Sequence, residues 1–256
     1  REPGFGNQVH GPGRFAHQRE RRGAIAARRD ADTVFQPTSG PPQVFTQARG
    51  RQPEQVLMLI TVTGELVAGG GQGNLLASKV LGEAALMADI PVRMSEIHGM
   101  AQRGGVVESA VVFGDAESTI ISDAEADVLL GFEPSETLRA LNRCNADTVV
   151  ITNTAPLPPF TVAIGKGTYP DIQEVQELIR NKTARLIAFD AQTLAKQAGN
   201  IMSLNMVLLG SLIQTGIMPV SADNVKEAIR TSTKKAFVDI NIKAFELGFE
   251  AAAKAA

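Results

Sequence analysis

Residues 127–132 read Asp-Val-Leu-Leu-Gly-Phe, and residues 147–153 read Asp-Thr-Val-Val-Ile-Thr-Asn. Both runs are short and mostly apolar, which is typical of strands buried inside a sheet. Between them, Pro134 is suited to the first turn of a helix, which we expect to extend to about Asn142. This segment therefore predicts a strand–helix–strand unit.

The same alternation continues on both sides of this unit. An apolar run at 56–68, with polar residues at 61–65, precedes a helical pattern that runs from Leu75 to Met87. Ser221 is typical of an N-cap. Further strands are expected at 91–95, 106–113 and 184–189, and further helices at 171–181, 191–198, 201–215, 222–231 and 240–254. The pattern predicts an α/β fold with a mostly parallel sheet and helices on both faces.

Composition limits the function. A net charge of −2 over 256 residues gives no electrostatic argument for binding nucleic acid or an anionic membrane. The longest apolar run, 202–220, is interrupted by Asn205, Gln214 and Pro219, so it is a poor membrane span. Cys144 is the single cysteine, which rules out an intrachain disulfide or a four-thiolate iron–sulfur site and fits the reducing cytoplasm.

The first 55 residues differ in composition from the rest of the chain. They contain nine arginines and no lysine, together with seven glycines, six prolines and seven glutamines. Such a segment has too few large aliphatic side chains to bury a core. We expect residues 1–55 to be a disordered or non-native leader, followed by a single domain at 56–256.

A glycine run at 69–73 precedes the helical pattern that contains Leu75. Free N–H groups at the start of a helix can bind an anion, so Gly70, Gly71, Gln72 and Gly73 are candidate binding residues. Glu96 follows Gly73 by 23 residues, where a dinucleotide-binding fold would hold a ribose hydroxyl. A stand-alone Rossmann-like oxidoreductase is therefore one hypothesis. A tight turn without a ligand is the other.

The segment 95–105 places a carboxylate, an imidazole, a guanidinium and three glycines between two predicted strands. A loop of this kind favours a binding or interface role, although a glycine-rich hairpin with solvated charges has the same composition. No second histidine, serine or cysteine forms a triad with His98, and no metal-ligand spacing is present. The candidate site residues are Ser95, Glu96, His98, Gly99, Met100, Arg103, Gly104 and Gly105.

Three stretches carry a family resemblance: Gly-Gly-Gln-Gly-Asn-Leu-Leu-Ala-Ser-Lys-Val-Leu-Gly at 70–82, the loop at 95–105, and Ala-Asp-Val-Leu-Leu-Gly-Phe-Glu-Pro at 126–134. In this order they resemble the β-subunit family of indolepyruvate:ferredoxin oxidoreductase. That subunit corresponds to the γ-type domain of pyruvate and other 2-oxoacid:ferredoxin oxidoreductases. The resemblance covers residues 66–252.

The resemblance implies a complex that oxidatively decarboxylates aryl pyruvates to an acyl-CoA and passes electrons to ferredoxin. In the family, a larger subunit carries thiamine diphosphate, magnesium and the iron–sulfur clusters. One cysteine, and Gly114-Asp115-Ala116 in place of an intact Gly-Asp-Gly motif, agree with a chain that binds none of these alone. By analogy the loop at 95–105 faces the larger subunit, with Arg103 contacting a phosphate or carboxylate. No residue of this chain is assigned a catalytic or metal-binding role.

Two departures from the family pattern lie close together. Ala68 stands where the family has the first glycine of its motif, and residues 1–55 have no counterpart. A reading-frame error upstream of about residue 66 would explain both. A third hypothesis for the function is a scaffold subunit that only stabilises its partner.

Overall fold

The computed structural model describes residues 56–63, 72–98, 106–157, 162, 164, 165 and 167–255. All of them belong to the unit that runs from Gln47 to Ala256. The predicted leader at 1–55 lies outside the described residues, so the expectation of disorder stays a prediction.

The described strands form one six-stranded sheet in the order β2-β3-β1-β4-β5-β6. Strands β1, β4, β5 and β6 pair in parallel, whereas β3 is antiparallel to both β1 and β2. The expected mostly parallel sheet is therefore confirmed. The strands are β1 (Val56–Thr63), β2 (Val92–His98), β3 (Val106–Phe113), β4 (Ala126–Gly131), β5 (Cys144–Asn153) and β6 (Arg185–Phe189).

The helices begin and end close to their predicted positions. Pro134 occupies the first turn after the N-cap Glu133, and Ser221 caps its helix by accepting a hydrogen bond from Asn224 N. The helix expected at 134–142 ends at Arg139 and continues as a 3₁₀ turn. The described helices are α1 (Gln72–Met87), α2 (Pro134–Arg139), α3 (Ile172–Lys182), α4 (Ala191–Ala198), α5 (Leu204–Gln214), α6 (Ala222–Ser232) and α7 (Val238–Lys254).

The predicted interruption at 61–65 does not stop β1 at Thr61. The strand continues to Thr63 and pairs there with Val106. Thr61 has a neighbour on both sides, Glu108 in β3 and Gly131 in β4. Because Thr and Val are β-branched and suit an extended backbone, central pairing maintains the strand through this polar stretch.

Helices cover both faces of the sheet, as expected. On one face, Val128 and Ile151 join a core with buried residues of α1, α4, α5, α6 and α7. On the other face, Leu129 and Val150 pack with α3 and the turn after α2. Ten consecutive residues of α5, Leu204 to Ile213, are buried. This helix packs against both β5 and α7, which explains its apolar sequence. No helix in the described part of the chain combines the length and apolarity needed to cross a membrane.

Glycines allow α5 and α7 to cross in direct backbone contact. A Cβ atom on Gly210 would overlap the carbonyl oxygen of Phe245, and one on Gly248 would overlap that of Val207. The obstructing atoms are main-chain atoms of the facing helix, which cannot rotate away. The crossing therefore requires both glycines.

The Cys144 thiol is expected to be unreactive in the folded chain. Burial raises its pKa to about 11, a shift that Lys182 and a hydrogen bond with Thr148 only partly oppose. At pH 8 only about 0.1% of such a thiol is ionised. Iodoacetamide should therefore alkylate the native chain at least about 100-fold more slowly than the same chain in urea. Equal rates in the two states would contradict this assignment.

Candidate functional site

The carboxyl ends of the parallel strands lie at one edge of the sheet, where α/β proteins bind ligands. The chain leaves β1 towards α1 on one face, and leaves β4 towards α2 on the other. A crevice is expected where neighbouring strands send their chains to opposite faces. The ends of β1 and β4 therefore mark the candidate site.

Two of the sequence-predicted elements begin at this edge. Thr63 ends β1 opposite Val106, and His98 ends β2 opposite Val107. The strands β1 and β2 therefore end at the same edge of the sheet, on either side of the first residues of β3. The sequence did not predict that these two strand ends lie at the same edge.

The structure describes only part of the predicted loop. Ser95 and Glu96 are half-buried on β2, opposite Ala110 and Ser109, so their side chains lie on opposite faces of the sheet. The strands on either side of the loop, β2 and β3, are present as expected; they pair antiparallel, and His98 is the last paired residue of β2. Gly99, Met100, Arg103, Gly104 and Gly105 lie outside the described residues. The binding role of this loop stays a prediction.

The predicted helix start after the glycine run is present, since α1 begins at Gln72. Asn205 Nδ2 donates to the Gly73 carbonyl oxygen across 3.2 Å. A Cβ on Gly73 would lie 3.7 Å from Phe132 Cε1, so this glycine packs against the residue that follows β4. Gly70 and Gly71 lie outside the described residues.

A groove of about 510 Å³ lies beside the first turns of α1. Exposed Lys79 and Lys234 line it, and none of its described lining residues is acidic. Leu75, Met202 and Phe237 give it exposed apolar walls. The groove can therefore bind a molecule that carries both an anionic group and an apolar or aromatic part.

Polar residues position the wall of this groove. Ser203 Oγ donates to Asn241 Oδ1 across 2.7 Å, and both residues are buried. Asn200 caps the turn before α5 by accepting from Met202 N. Sequence reasoning missed Lys79, Lys234 and Asn241, because they are distant in the chain and belong to no local motif.

Asn74 is completely buried in the first turn of α1, and its side-chain amide has no hydrogen-bond partner among the described residues. Ser78, one turn later, instead donates to the Asn74 carbonyl oxygen. Helical spacing places Asn74 on the same side of α1 as the buried Leu81. Its amide therefore lies on the core-facing side of α1, away from Lys79.

A buried carboxylate follows β4 at the same edge. Glu133 is 1% exposed, and it accepts hydrogen bonds from Glu136 N, Ser135 Oγ and the Tyr169 hydroxyl. Desolvation, followed by the bond to Glu133, raises the pKa of Tyr169. Tyr169 therefore remains a proton donor at every physiological pH.

Glu136 is expected to lower the free energy of unfolding as the pH rises. Burial raises its pKa above the ordinary 4.5, with Glu133 and Glu108 adding to the shift and Arg139 opposing it. Because the folded state holds the proton more tightly than the unfolded state, stability is lost as pH rises above 4.5. Glu136→Gln should therefore raise the melting temperature at pH 7 relative to wild type, and less so at pH 4.

The Arg139–Glu136 ion pair, at 3.1 Å, does not reverse that expectation, because Arg139 is 64% exposed. Arg139→Gln provides the matched control and should change the melting temperature little. A lower melting temperature of Glu136→Gln than of wild type at pH 7 would show that the ion pair dominates.

Strand order does not favour the dinucleotide hypothesis. In that fold the strand bearing the ribose-binding acid lies directly beside the first strand. Here β3 separates β2, which carries Glu96, from β1. Glu96 is therefore one strand farther from the glycine run than the sequence spacing suggested.

An α/β fold with a basic and apolar groove beside its first helix is typical of ligand-binding domains. The family described as "Pyruvate ferredoxin/flavodoxin oxidoreductase" matches residues 66–251. The indolepyruvate oxidoreductase subunit IorB of Pyrococcus horikoshii is 45% identical over 185 residues, which cover 72% of this chain and 92% of that protein. The corresponding subunit of Methanothermobacter thermautotrophicus is 40% identical, over 72% of this chain and 94% of its own length.

Solved structures agree with these relatives. The keto/oxoacid ferredoxin oxidoreductase γ subunit of Geobacter sulfurreducens is 25% identical, with a TM-score of 0.54, over 78% of this chain and 99% of that chain. The chain therefore belongs to the pyruvate ferredoxin/flavodoxin oxidoreductase family, as a γ-type subunit of a 2-oxoacid:ferredoxin oxidoreductase. The family resemblance read from the sequence is confirmed.

A longer relative has the same fold. The 2-oxoglutarate:ferredoxin oxidoreductase of Magnetococcus marinus, solved with 2-oxoglutarate, coenzyme A and succinyl-CoA bound, matches with a TM-score of 0.57 and 18% identity. The match covers 79% of this chain but 32% of that one. In that protein the fold is therefore one part of a larger chain.

Proposed function

We propose that this chain is the subunit without redox cofactors in a cytoplasmic complex that oxidises indolepyruvate and related aryl pyruvates. The main support is its 45% identity to a protein named as an indolepyruvate oxidoreductase subunit. The proposed reaction converts one 2-oxoacid, one coenzyme A and two oxidised ferredoxins into carbon dioxide, one acyl-CoA, two reduced ferredoxins and one proton. The α-carbon is oxidised, the C–C bond to the carboxylate breaks, and a C–S bond forms.

The chemistry of this reaction is assigned to a larger partner subunit. That subunit would supply thiamine diphosphate, magnesium and iron–sulfur clusters. The chain's single cysteine, Cys144, supports this division, because an iron–sulfur cluster is held by several thiolates. This chain would contribute surfaces that bind and orient substrate and partner.

Coenzyme A is the substrate we assign to the groove beside α1. It carries phosphates, which suit Lys79 and Lys234, and an aromatic and apolar remainder, which suits Leu75, Met202 and Phe237. The groove volume of about 510 Å³ can hold part of so long a molecule. The remainder would extend towards the partner subunit.

The substrate class is tested by reconstituting the complex. The chain is combined with the larger subunit and assayed with indolepyruvate, phenylpyruvate and pyruvate, with coenzyme A and oxidised ferredoxin present. We expect kcat/KM to be highest for indolepyruvate and ferredoxin reduction to require both subunits. A preference for pyruvate, or activity of either subunit alone, would contradict the proposal.

Arg103→Ala in the reconstituted complex tests the predicted loop. Loss of a phosphate or carboxylate contact should reduce kcat/KM by about 10-fold or more while the complex still assembles. Arg180→Ala, an exposed substitution on α3, is the matched control and should leave kcat/KM unchanged. Unchanged turnover with Arg103→Ala would instead favour a scaffold role for the loop.

A further inference from the structure

The junction between β4 and α2 is held rigidly by buried polar groups. The Glu133 carboxylate accepts hydrogen bonds from Ser135 Oγ at 2.6 Å and from Glu136 N at 3.0 Å. It also accepts from the Tyr169 hydroxyl and, more weakly, from Leu157 N at 3.4 Å. One carboxylate therefore fixes the start of α2 and both described ends of the connection between β5 and α3.

A second buried side chain fixes the other side of this junction. Asn153, 3% exposed at the end of β5, donates from Nδ2 to the Phe132 carbonyl oxygen at 3.1 Å and to that of Ala155 at 3.2 Å. Its Oδ1 accepts from Ala155 N and from Ala191 N at the start of α4. Asn153 and Glu133 therefore fix the backbone at Phe132 and at the residues that follow it.

Phe132 connects this junction to the groove. Its ring lies beside Gly73, where an added Cβ would be in van der Waals contact with Cε1 at 3.7 Å. Gly73 lines the groove, and its carbonyl oxygen accepts from Asn205, which also lines it. Glu133 is thus followed back along the chain by Phe132, whose ring lies beside the first turn of α1.

We propose that Glu133 is a positioning residue for the groove. It holds Phe132 against Gly73, and so sets the position of the first turn of α1 relative to the 200–205 segment. The inference rests on the proposed function, in which the groove binds coenzyme A. Glu133 itself contacts no substrate, so its effect is on coenzyme A binding and not on the chemical step.

The expected effect of Glu133→Gln follows from hydrogen-bond chemistry. Both oxygens of the carboxylate accept hydrogen bonds, whereas the amide has one accepting oxygen and one NH₂ group that donates. When the amide oxygen accepts from Glu136 N, the NH₂ group faces two former donors: the Leu157 N–H, which loses its acceptor, and the Tyr169 hydroxyl, which must turn from donor to acceptor. The Phe132 backbone should then shift away from Gly73. In the reconstituted complex, the KM for coenzyme A should rise about 10-fold, with kcat and the KM for the 2-oxoacid within twofold of wild type.

Tyr169→Phe tests the same role with a smaller change, and Thr183→Val is the matched control. Tyr169→Phe removes one donor to Glu133 and should raise the KM for coenzyme A two- to threefold. Thr183 also forms a buried hydrogen bond, to Ile179 O at 2.8 Å, but it precedes β6 at the opposite edge of the sheet. Its variant should leave the KM for coenzyme A unchanged.

The outcomes separate this inference from the proposed function. A raised KM for coenzyme A in Tyr169→Phe, with kcat unchanged, supports the positioning role even if Glu133→Gln fails to assemble. An unchanged KM in Tyr169→Phe and in an assembled Glu133→Gln complex, or an equal loss in kcat and every KM, overturns it. If Lys79→Ala with Lys234→Ala leaves the KM for coenzyme A unchanged, the groove assignment itself is wrong.

Discussion

Gly248→Ala is expected to destabilise the chain by at least about 3 kcal/mol. The added methyl group would overlap the Val207 carbonyl oxygen, and the adjacent Gly210 already contacts the α7 backbone at Phe245. Since α5 is buried along its length, the two helices cannot separate without opening the core against the sheet. For a domain stabilised by about 5–15 kcal/mol, such a loss is a large fraction of the total.

Urea denaturation of the purified chain measures this loss as a lower midpoint. Gly82→Ala is the matched control, because Gly82 is also helical, but its new Cβ would meet only the flexible end of Met94, at 2.8 Å from Cε. That variant should change the midpoint little, since alanine favours the helix and the methionine can move. Equal midpoints for Gly248→Ala and wild type would show that the helices do not cross as closely as described.

The second large effect is expected from replacing Lys79 and Lys234 together by alanine. If each lysine contacts a phosphate of coenzyme A, the double variant should raise the KM for coenzyme A about 30-fold in the reconstituted complex. The KM for indolepyruvate should stay unchanged, because we propose that the 2-oxoacid reacts in the partner subunit. Raising the salt concentration should weaken coenzyme A binding in wild type more than in the variant.

Steady-state kinetics at several coenzyme A concentrations measure this effect. Lys196→Ala with Lys254→Ala is the matched control, because both lysines are exposed and neither lines the groove. The two double variants remove the same net charge. An equal rise in KM for both would attribute the effect to overall charge and would contradict a specific site.

The secondary structure was largely predictable because its signals are local. Pro134 and Ser221 mark helix starts through backbone geometry and capping, which depend on a few neighbouring residues. The apolar runs at 127–132 and 147–153 lie in β4 and β5. Their buried residues stand next to other apolar residues in the sequence, so the runs are visible locally. Thr61 was misleading because its strand is maintained by pairing on both sides, which the local sequence does not encode.

The candidate site was only partly predictable. The glycine run and the loop at 95–105 were recognisable from composition and family resemblance, and the structure places the ends of the strands that precede them, Thr63 and His98, at one sheet edge. Lys79, Lys234 and Asn241 come together only because α1, α6 and α7 pack on the same face. The coupling between Glu133 and Tyr169 also joins residues on different elements.

The sequence by itself determined the α/β class, the positions of most helices and strands, and the family. These follow from apolar periodicity, capping residues and motifs, all of which are properties of short segments. Only the tertiary structure decided the strand order, the groove beside α1 and the buried carboxylate that supports it. Strand order decides which loops meet at an edge, and packing decides which distant side chains share a cavity, so neither can be read from any one segment.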